Sequence, residues 1–184
     1  GAITLGGGPR NGTYQAFTDA FSKFATAQGV PVHSFSSEGS VDNASRIQAG
    51  GLDFALVQSD VAQLFHEGWV AKNVLRSRDV RAVASLWPEA VHLVTLEGSG
   101  IKSMADLKGK RLAIGLRGSG TRLNALMLGI AAGFDEDEVP EIREIGRNEA
   151  ILALERGDID ALFMTEAVPA PSLQRLTQRR SDAR

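Results

Sequence analysis

The sequence predicts an α/β protein of two lobes, each built on a largely parallel sheet, and three observations carry that reading. Short β-branched or apolar runs alternate with amphipathic stretches along the chain, as in consecutive strand-helix units. The same grammar starts twice, at Ile3 and again beyond Glu97. Two segments of the first half also answer two of the second in order and spacing. LGGGPRNGTYQAF, from Leu5, matches IGLRGSGTRLNAL, from Ile114, and AGGLDFALVQSD, from Ala49, matches RGDIDALFMTEA, from Arg156. Thr13 and Asp53 lie 40 positions apart and Thr121 and Asp160 lie 39 apart, so the correspondence keeps its spacing.

Ile3 to Leu5 reads as a short strand, followed by a glycine-rich turn and a helix that sets Tyr14, Phe17, Phe21 and Phe24 on one face. A strand near Val32 to Phe35 leads through Ser37, Glu38, Gly39 and Ser40 into a helix running to about Gln48. Phe54 to Val57 reads as a buried strand and Asp60 to Glu67 as a helix. Val80 to Leu86 and Val91 to Leu96 are apolar runs on either side of Trp87-Pro88-Glu89, and the second reads as a crossover. That puts a hinge near residues 86–97, between a lobe of residues 1–90 and a lobe of residues 91–184. In the second lobe a polar segment, Ser103 to Lys110, introduces a strand at Arg111 to Gly115, the turn Gly118-Ser119-Gly120-Thr121, and a helix to about Ala132. A strand near Ile142 to Ile145, a helix from Asn148 to Arg156, a strand from Ile159 to Met164 and a terminal segment opening at Pro169 and Pro171 complete the order.

Composition excludes several function classes. The net charge of −2, with signs interspersed, argues against a nucleic-acid binder, which needs a basic face. No run approaches the roughly 18 apolar residues of a membrane span, so no direct membrane insertion of this segment is expected. No signal peptide opens the chain, so either a cytoplasmic protein or a removed leader is expected, and the start at Gly1-Ala2, directly ahead of a strand, suits the second. With 0 cysteines there is no disulfide, thiol nucleophile or thiolate metal site. His33, His66 and His92 are scattered without ligand spacing, so neither a metal nor a cofactor is expected. The acidic run Asp135 to Glu138 reads as a solvated loop.

The turn at Gly118 to Thr121 carries the strongest chemical signal. Unpaired N–H groups at a helix start favour an anion or a polar oxygen. The lysine of a nucleotide P-loop and the spacing of a dinucleotide fold are both missing, so the turn reads either as a tight strand-to-helix connection capped by Ser119 or Thr121 or as a site where the amides and these hydroxyls hold a group such as a carboxylate. Arg117 and Arg122 beside it offer a charge-assisted contact or solvated helix-end charges. Gln58 and Ser59 follow a buried strand, where strand ends meet a cleft in open parallel sheets. Ser40 and Asn43 suit a capped helix, and Asn43 offers both donor and acceptor. Trp87 reads equally as core or as wall, and Glu166 as a partner for a ligand ammonium or as a solvated charge.

The segments GGGPRNGTYQAF, SEGSVDNASRIQAGGLDFALVQSDVAQLFHEG, LWPEAVHLVTLEGSGIKSMADLKGKRLAIGLRGSGTR and ALERGDIDALFMTEAVPAPSLQRL resemble, in the same order, the TAXI class of extracytoplasmic solute-binding proteins, which serve tripartite ATP-independent periplasmic (TRAP) transporters. The resemblance implies a two-lobed, periplasmic-binding-protein type II-like fold, an extracytoplasmic location, and closure of an interlobe cleft on a small organic acid or amino acid, glutamate-like, that is handed to the membrane subunits of the transporter. It implies ligand contact for Thr13 and Tyr14, since a phenol both stacks and hydrogen-bonds. Members of the class run on beyond a point like Arg184 and return to the first lobe, so that lobe is expected to be incomplete at its C-terminal return. The chain departs from the class at Ser37-Glu38-Gly39-Ser40, where a Thr-Gly-Gly-Ser-like turn is usual, and at Thr165-Glu166, where small residues are. Extra carboxylates there repel an acidic ligand unless paired or protonated. No nucleophile elbow, metal cluster or acid-base pair supplies a reaction, so no enzyme is expected. The alternatives are a ligand-sensing regulatory domain on the same fold and a cofactor-biosynthesis enzyme on a lobed fold.

Overall fold

The computed structural model describes residues 1–69, 72, 74 and 76–184. The chain divides into two compact units, one of Gly1–Ser85 with Gly118–Gly120, the other of Leu86–Arg117 with Thr121–Arg184.

The first unit is a parallel sheet with strand order β2-β1-β3, made of β1 (Ile3–Gly6), β2 (Val32–Phe35) and β3 (Phe54–Ala55). Helices α1 (Thr13–Ala27), α2 (Ser40–Gln48) and α3 (Ser59–Glu67) follow the three strands in turn. Helix α1 buries Gln15, Thr18, Ser22 and Ala25, a stripe at helical spacing made almost wholly of small or polar side chains. The expected aromatic face points elsewhere: Phe17 and Phe21 stack at 6.2 Å between ring centroids, and Phe21 and Phe24 are 45% and 65% exposed. Sterics explain the choice. A Cβ on Gly7 would stand 2.3 Å from Gln15 Oε1, 2.4 Å from Thr18 Oγ1 and 3.1 Å from Gln15 Cα, so helix and turn approach too closely for a phenylalanine to lie between them.

The second unit has strand order β4-β7-β5-β6, from β4 (Ala90–Thr95), β5 (Arg111–Ala113), β6 (Glu141–Arg143) and β7 (Ala161–Glu166). Strands β5, β6 and β7 are parallel, and β4 runs antiparallel along β7. The run Val91 to Leu96, expected as a crossover, is therefore largely an edge strand. Leu96 is tied in an isolated bridge to Ala183. Helices α4 (Gly120–Ala131), α5 (Arg147–Arg156) and α6 (Pro171–Arg179) complete the unit, except that Gly120 sits in the first. Two apolar clusters fill it: one gathers Leu154, Ile159, Leu162 and Leu176, the other Leu107, Leu112, Ile114, Leu126 and Phe163. The apolar run Val80 to Leu86 forms no strand and leaves Val83 78% exposed.

The internal repeat is visible in the strand register. Leu5 pairs with Phe54 and Leu112 with Ala161, a separation of 49 in each unit (54 minus 5, 161 minus 112). The order β2-β1-β3 of the first sheet recurs as β6-β5-β7 in the second. Helices α1 and α4 each begin 8 residues after the first strand leucine (13 minus 5, 120 minus 112). The helix starts thus set Thr13 against Gly120, whereas matching the two Gly-Thr pairs sets it against Thr121, one residue further on.

Candidate functional site

In open parallel sheets the loops at the carboxyl ends of the strands are where ligands bind. The first unit ties four such segments into one polar cluster. Asn43, 0% exposed, donates through Nδ2 to the carbonyls of Gly7 (2.6 Å) and Leu56 (2.8 Å), holding the ends of β1 and β3 to α2. Ser40, 2% exposed, accepts the Gln58 N–H at 3.0 Å and fixes the start of α3. Ser37 N donates to the Gly8 carbonyl at 3.0 Å, joining the turn after β2 to the turn after β1. Both Ser40 and Asn43 therefore shape the loops from within, with their side chains enclosed rather than presented to a ligand. Thr13 and Ser59 are the first, exposed residues of α1 and α3, and Tyr14 is half-buried with its Cβ 3.1 Å from the position a Cβ on Gly8 would take.

The fourth segment is the turn Gly118 to Gly120. Its leading amide is already occupied: Gly118 N donates to Glu38 Oε2 at 2.9 Å. The Gly118 carbonyl accepts the Asp42 N–H at 2.9 Å, and Asp42 Oδ2 accepts the Glu38 N–H at 2.9 Å, so the three residues close a ring of hydrogen bonds. Arg46 Nε lies 2.8 Å from Asp42 Oδ1. The approach is tight, since a Cβ on Gly118 would fall 2.9 Å from the Cβ atoms of both Glu38 and Asp42. Gly39 holds φ +126°, open only to glycine, with Ser119 Cα 3.1 Å from its missing side chain. Gln58 lies over Gly120 so closely that a Cβ there would meet its carboxamide at 2.5 Å.

In the second unit the strand ends carry ion pairs. Arg147, the first residue of α5, donates to Glu166 Oε1 at 2.7 Å, with both side chains largely buried. Glu144, just after β6, meets Arg122 Nε at 2.6 Å and Arg117 at 3.5 Å. Thr121 Oγ1 accepts the Thr165 N–H at 3.2 Å, and Thr165 Oγ1 donates to Asn124 Oδ1 at 2.7 Å. Trp87 is half-buried outside any regular element. Sequence reasoning named Glu166 and missed Arg147. The signal was there in the repeat, where Arg147 opens α5 as Ser40 opens α2.

Among the described residues no group of three or more His, Asp or Glu could hold a metal ion, and no helix is long and apolar enough to cross a membrane.

Over residues 5–184 the chain matches the NMT1-like family, and it belongs to that family. Its fold is that of periplasmic solute-binding proteins. It is similar to the alkanesulfonate-binding protein SsuA from Xanthomonas axonopodis pv. citri bound to MOPS, at 16% identity and TM-score 0.61, with 100% of this chain covering 59% of that one. For the periplasmic aliphatic sulphonate binding protein SsuA from Escherichia coli the values are 16% and 0.56, with 100% of this chain covering 58% of that one. A mutant of arginine-bound ArgBP from T. maritima matches at 16% and 0.59, with 100% of this chain covering 80% of that one. The chain thus spans less than two thirds of the length of the two sulfonate-binding proteins.

Proposed function

We propose that this chain is the ligand-capturing part of an extracytoplasmic solute-binding protein of the TAXI class, which takes a small organic acid or amino acid and delivers it to the membrane subunits of a TRAP transporter. The observation that carries the reading is the polar cluster of the first unit, where turns from the ends of β1, β2 and β3 are cross-linked to Gly118–Gly120 around buried Asn43 and Ser40. That arrangement costs a small domain apolar core and sits where parallel sheets bind ligands. Family membership supports it.

In this reading Thr13, Tyr14, Gln58, Ser59 and Ser119 touch the ligand, and Ser40 and Asn43 hold the loops that present them. Gly118 and Gly120 are glycine because Glu38, Asp42 and Gln58 approach so closely. In the second unit Trp87, Thr121 and the Arg147–Glu166 pair are the contact candidates. Ligand capture needs only complementary hydrogen-bonding groups and a conformational bias towards the bound form, with no bond made or broken.

The test is a thermal-shift screen of carboxylates, amino acids and sulfonates, then calorimetry on each hit with wild type, Tyr14→Phe and Ser119→Ala. The expected result is a hit whose affinity falls about tenfold, roughly 1.4 kcal/mol, in at least one variant. A hit indifferent to both substitutions would remove these residues from the site, and a silent panel would remove the function.

A further inference from the structure

The turn at Gly118 has its anion already. The Gly118 N–H, two residues ahead of α4, is taken at 2.9 Å by the Glu38 carboxylate, 80 positions away in sequence. Glu38 is exposed, so its carboxylate faces the solvent from which a ligand comes. The charged groups around it are Asp42, whose carboxylate accepts the Glu38 N–H, and Arg46, which Asp42 neutralises at 2.8 Å and whose guanidinium also donates to the Ser36 carbonyl. Among the described residues no ion pair compensates Glu38, whereas Asp42 has Arg46. A second, independent observation points the same way. The carboxamide packed on Gly120 belongs to Gln58, and its Oε1 is a buried oxygen that has no hydrogen-bond donor among the described residues. Buried acceptors of this kind ask for a donor.

We infer that Glu38 is a specificity-determining residue: it fills the anion position of the 118–120 turn from within, and the end of the ligand that meets this turn is a hydrogen-bond-donating cation such as a primary ammonium. An anionic group arriving there would have to displace Glu38 and then sit beside two carboxylates. A ligand ammonium gains a charge-assisted hydrogen bond of the stronger kind. The inference rests on the proposed function and narrows its ligand class from organic acids in general to amine-bearing acids.

Matched probes that differ by one amine test it: glutamate against glutarate, and taurine against ethanesulfonate, by calorimetry on wild type, Glu38→Gln and Glu38→Ala. Glu38→Gln keeps the size and an acceptor for Gly118 N–H, so it guards against a loss that is merely structural. The expected result is that wild type prefers the amine-bearing member of at least one pair by about tenfold or more. Both variants should shrink that preference, weakening the amine and strengthening its partner. Equal binding of both members of each pair by wild type, or a preference that survives in Glu38→Gln and Glu38→Ala, overturns the role of Glu38 while leaving ligand capture standing. No binding of any probe by wild type overturns both.

Discussion

The two units share the strand order β2-β1-β3 and β6-β5-β7 and the same 49-residue register, yet differ in what they bury at equivalent positions. At the position where the second unit buries Ile114 (3% exposed) after β5, the first has Gly7, and the helix above it closes down on Gln15 and Thr18. At the fourth residue of the following helix the second unit buries Ala150 (2% exposed) and the first buries Asn43 (0%). Each unit ties one strand near its start, β1 in the first and β5 in the second, to an aspartate 49 residues on. In the first, Asp53 takes the Thr4 N–H and hydroxyl, and in the second Asp160 takes the Arg111 N–H and its guanidinium. The topology therefore tolerates either chemistry. The first unit sets hydrogen bonds at these loop positions where the second has apolar packing, while Leu5, Leu52, Val61 and Phe65 still form an apolar interior and Phe21 and Phe24 stay outside.

The largest expected effect comes from removing that polar lynchpin. Asn43→Ala deletes the donors to the Gly7 and Leu56 carbonyls inside the first unit and should lower stability in urea unfolding by about 3 kcal/mol. A loss below about 1 kcal/mol would mean that water satisfies the two carbonyls and that the interiors differ less than they look. Gly7→Ala comes next. The new methyl would press on Gln15 Cα as well as on two side-chain oxygens, and an overpacked site of this kind should cost about 2 kcal/mol.

These two positions also show what the sequence discloses. The strand-helix alternation, the repeat and nearly every element were legible, because hydrophobic periodicity and glycine punctuation are local. Which face of α1 turns inward was not: Phe17, Phe21 and Phe24 form the more hydrophobic stripe, yet the closeness of the Gly6–Gly8 turn selects the small polar one. The run Val80 to Leu86 has a strand's composition but pairs with no strand among the described residues, and pairing is a tertiary fact. Of the expected site residues, Asn43 and Ser40 were legible as polar loop-formers but not as enclosed ones. The Glu38–Gly118 contact joins segments 80 residues apart, which no local pattern encodes.

The aspartate tie of the second unit responds to pH. Hydrogen bonds from the Arg111 guanidinium, opposed by partial burial and reinforced by the Arg111 backbone N–H, hold the Asp160 carboxyl below the usual aspartate value of 3.8. A carboxylate whose folded pKa is depressed stabilises the fold fully above its free-chain value and loses that contribution as pH falls through the folded one. Below 3.8 the wild type should therefore lose a stabilising contribution that Asp160→Asn lacks. The difference between their urea midpoints, largest near neutrality, should shrink as the pH drops through that range. A difference that stays constant down to the acid limit would show that the charge on Asp160 contributes nothing.

The smallest effect is expected at the neutral tie. Thr4→Val keeps the shape and the backbone N–H to Asp53 but removes a hydroxyl that donates to Asp53 Oδ2 at 3.1 Å and accepts its N–H at 2.9 Å, in an exposed setting. The loss should be about 1 kcal/mol or less. Double-mutant cycles make the comparison direct, pairing Thr4→Val with Asp53→Ala and Arg111→Leu with Asp160→Ala. If the charged pair is the stronger tie, its coupling exceeds the neutral one in low salt and falls towards it as salt is added, because screening acts on ions and leaves a hydroxyl-carboxylate bond largely untouched. Couplings near zero at every salt concentration would reduce both ties to the backbone N–H bond they share, which cancels from each cycle. The shared feature would then be the aspartate at the 49-residue offset, and the arginine of the second unit would be incidental.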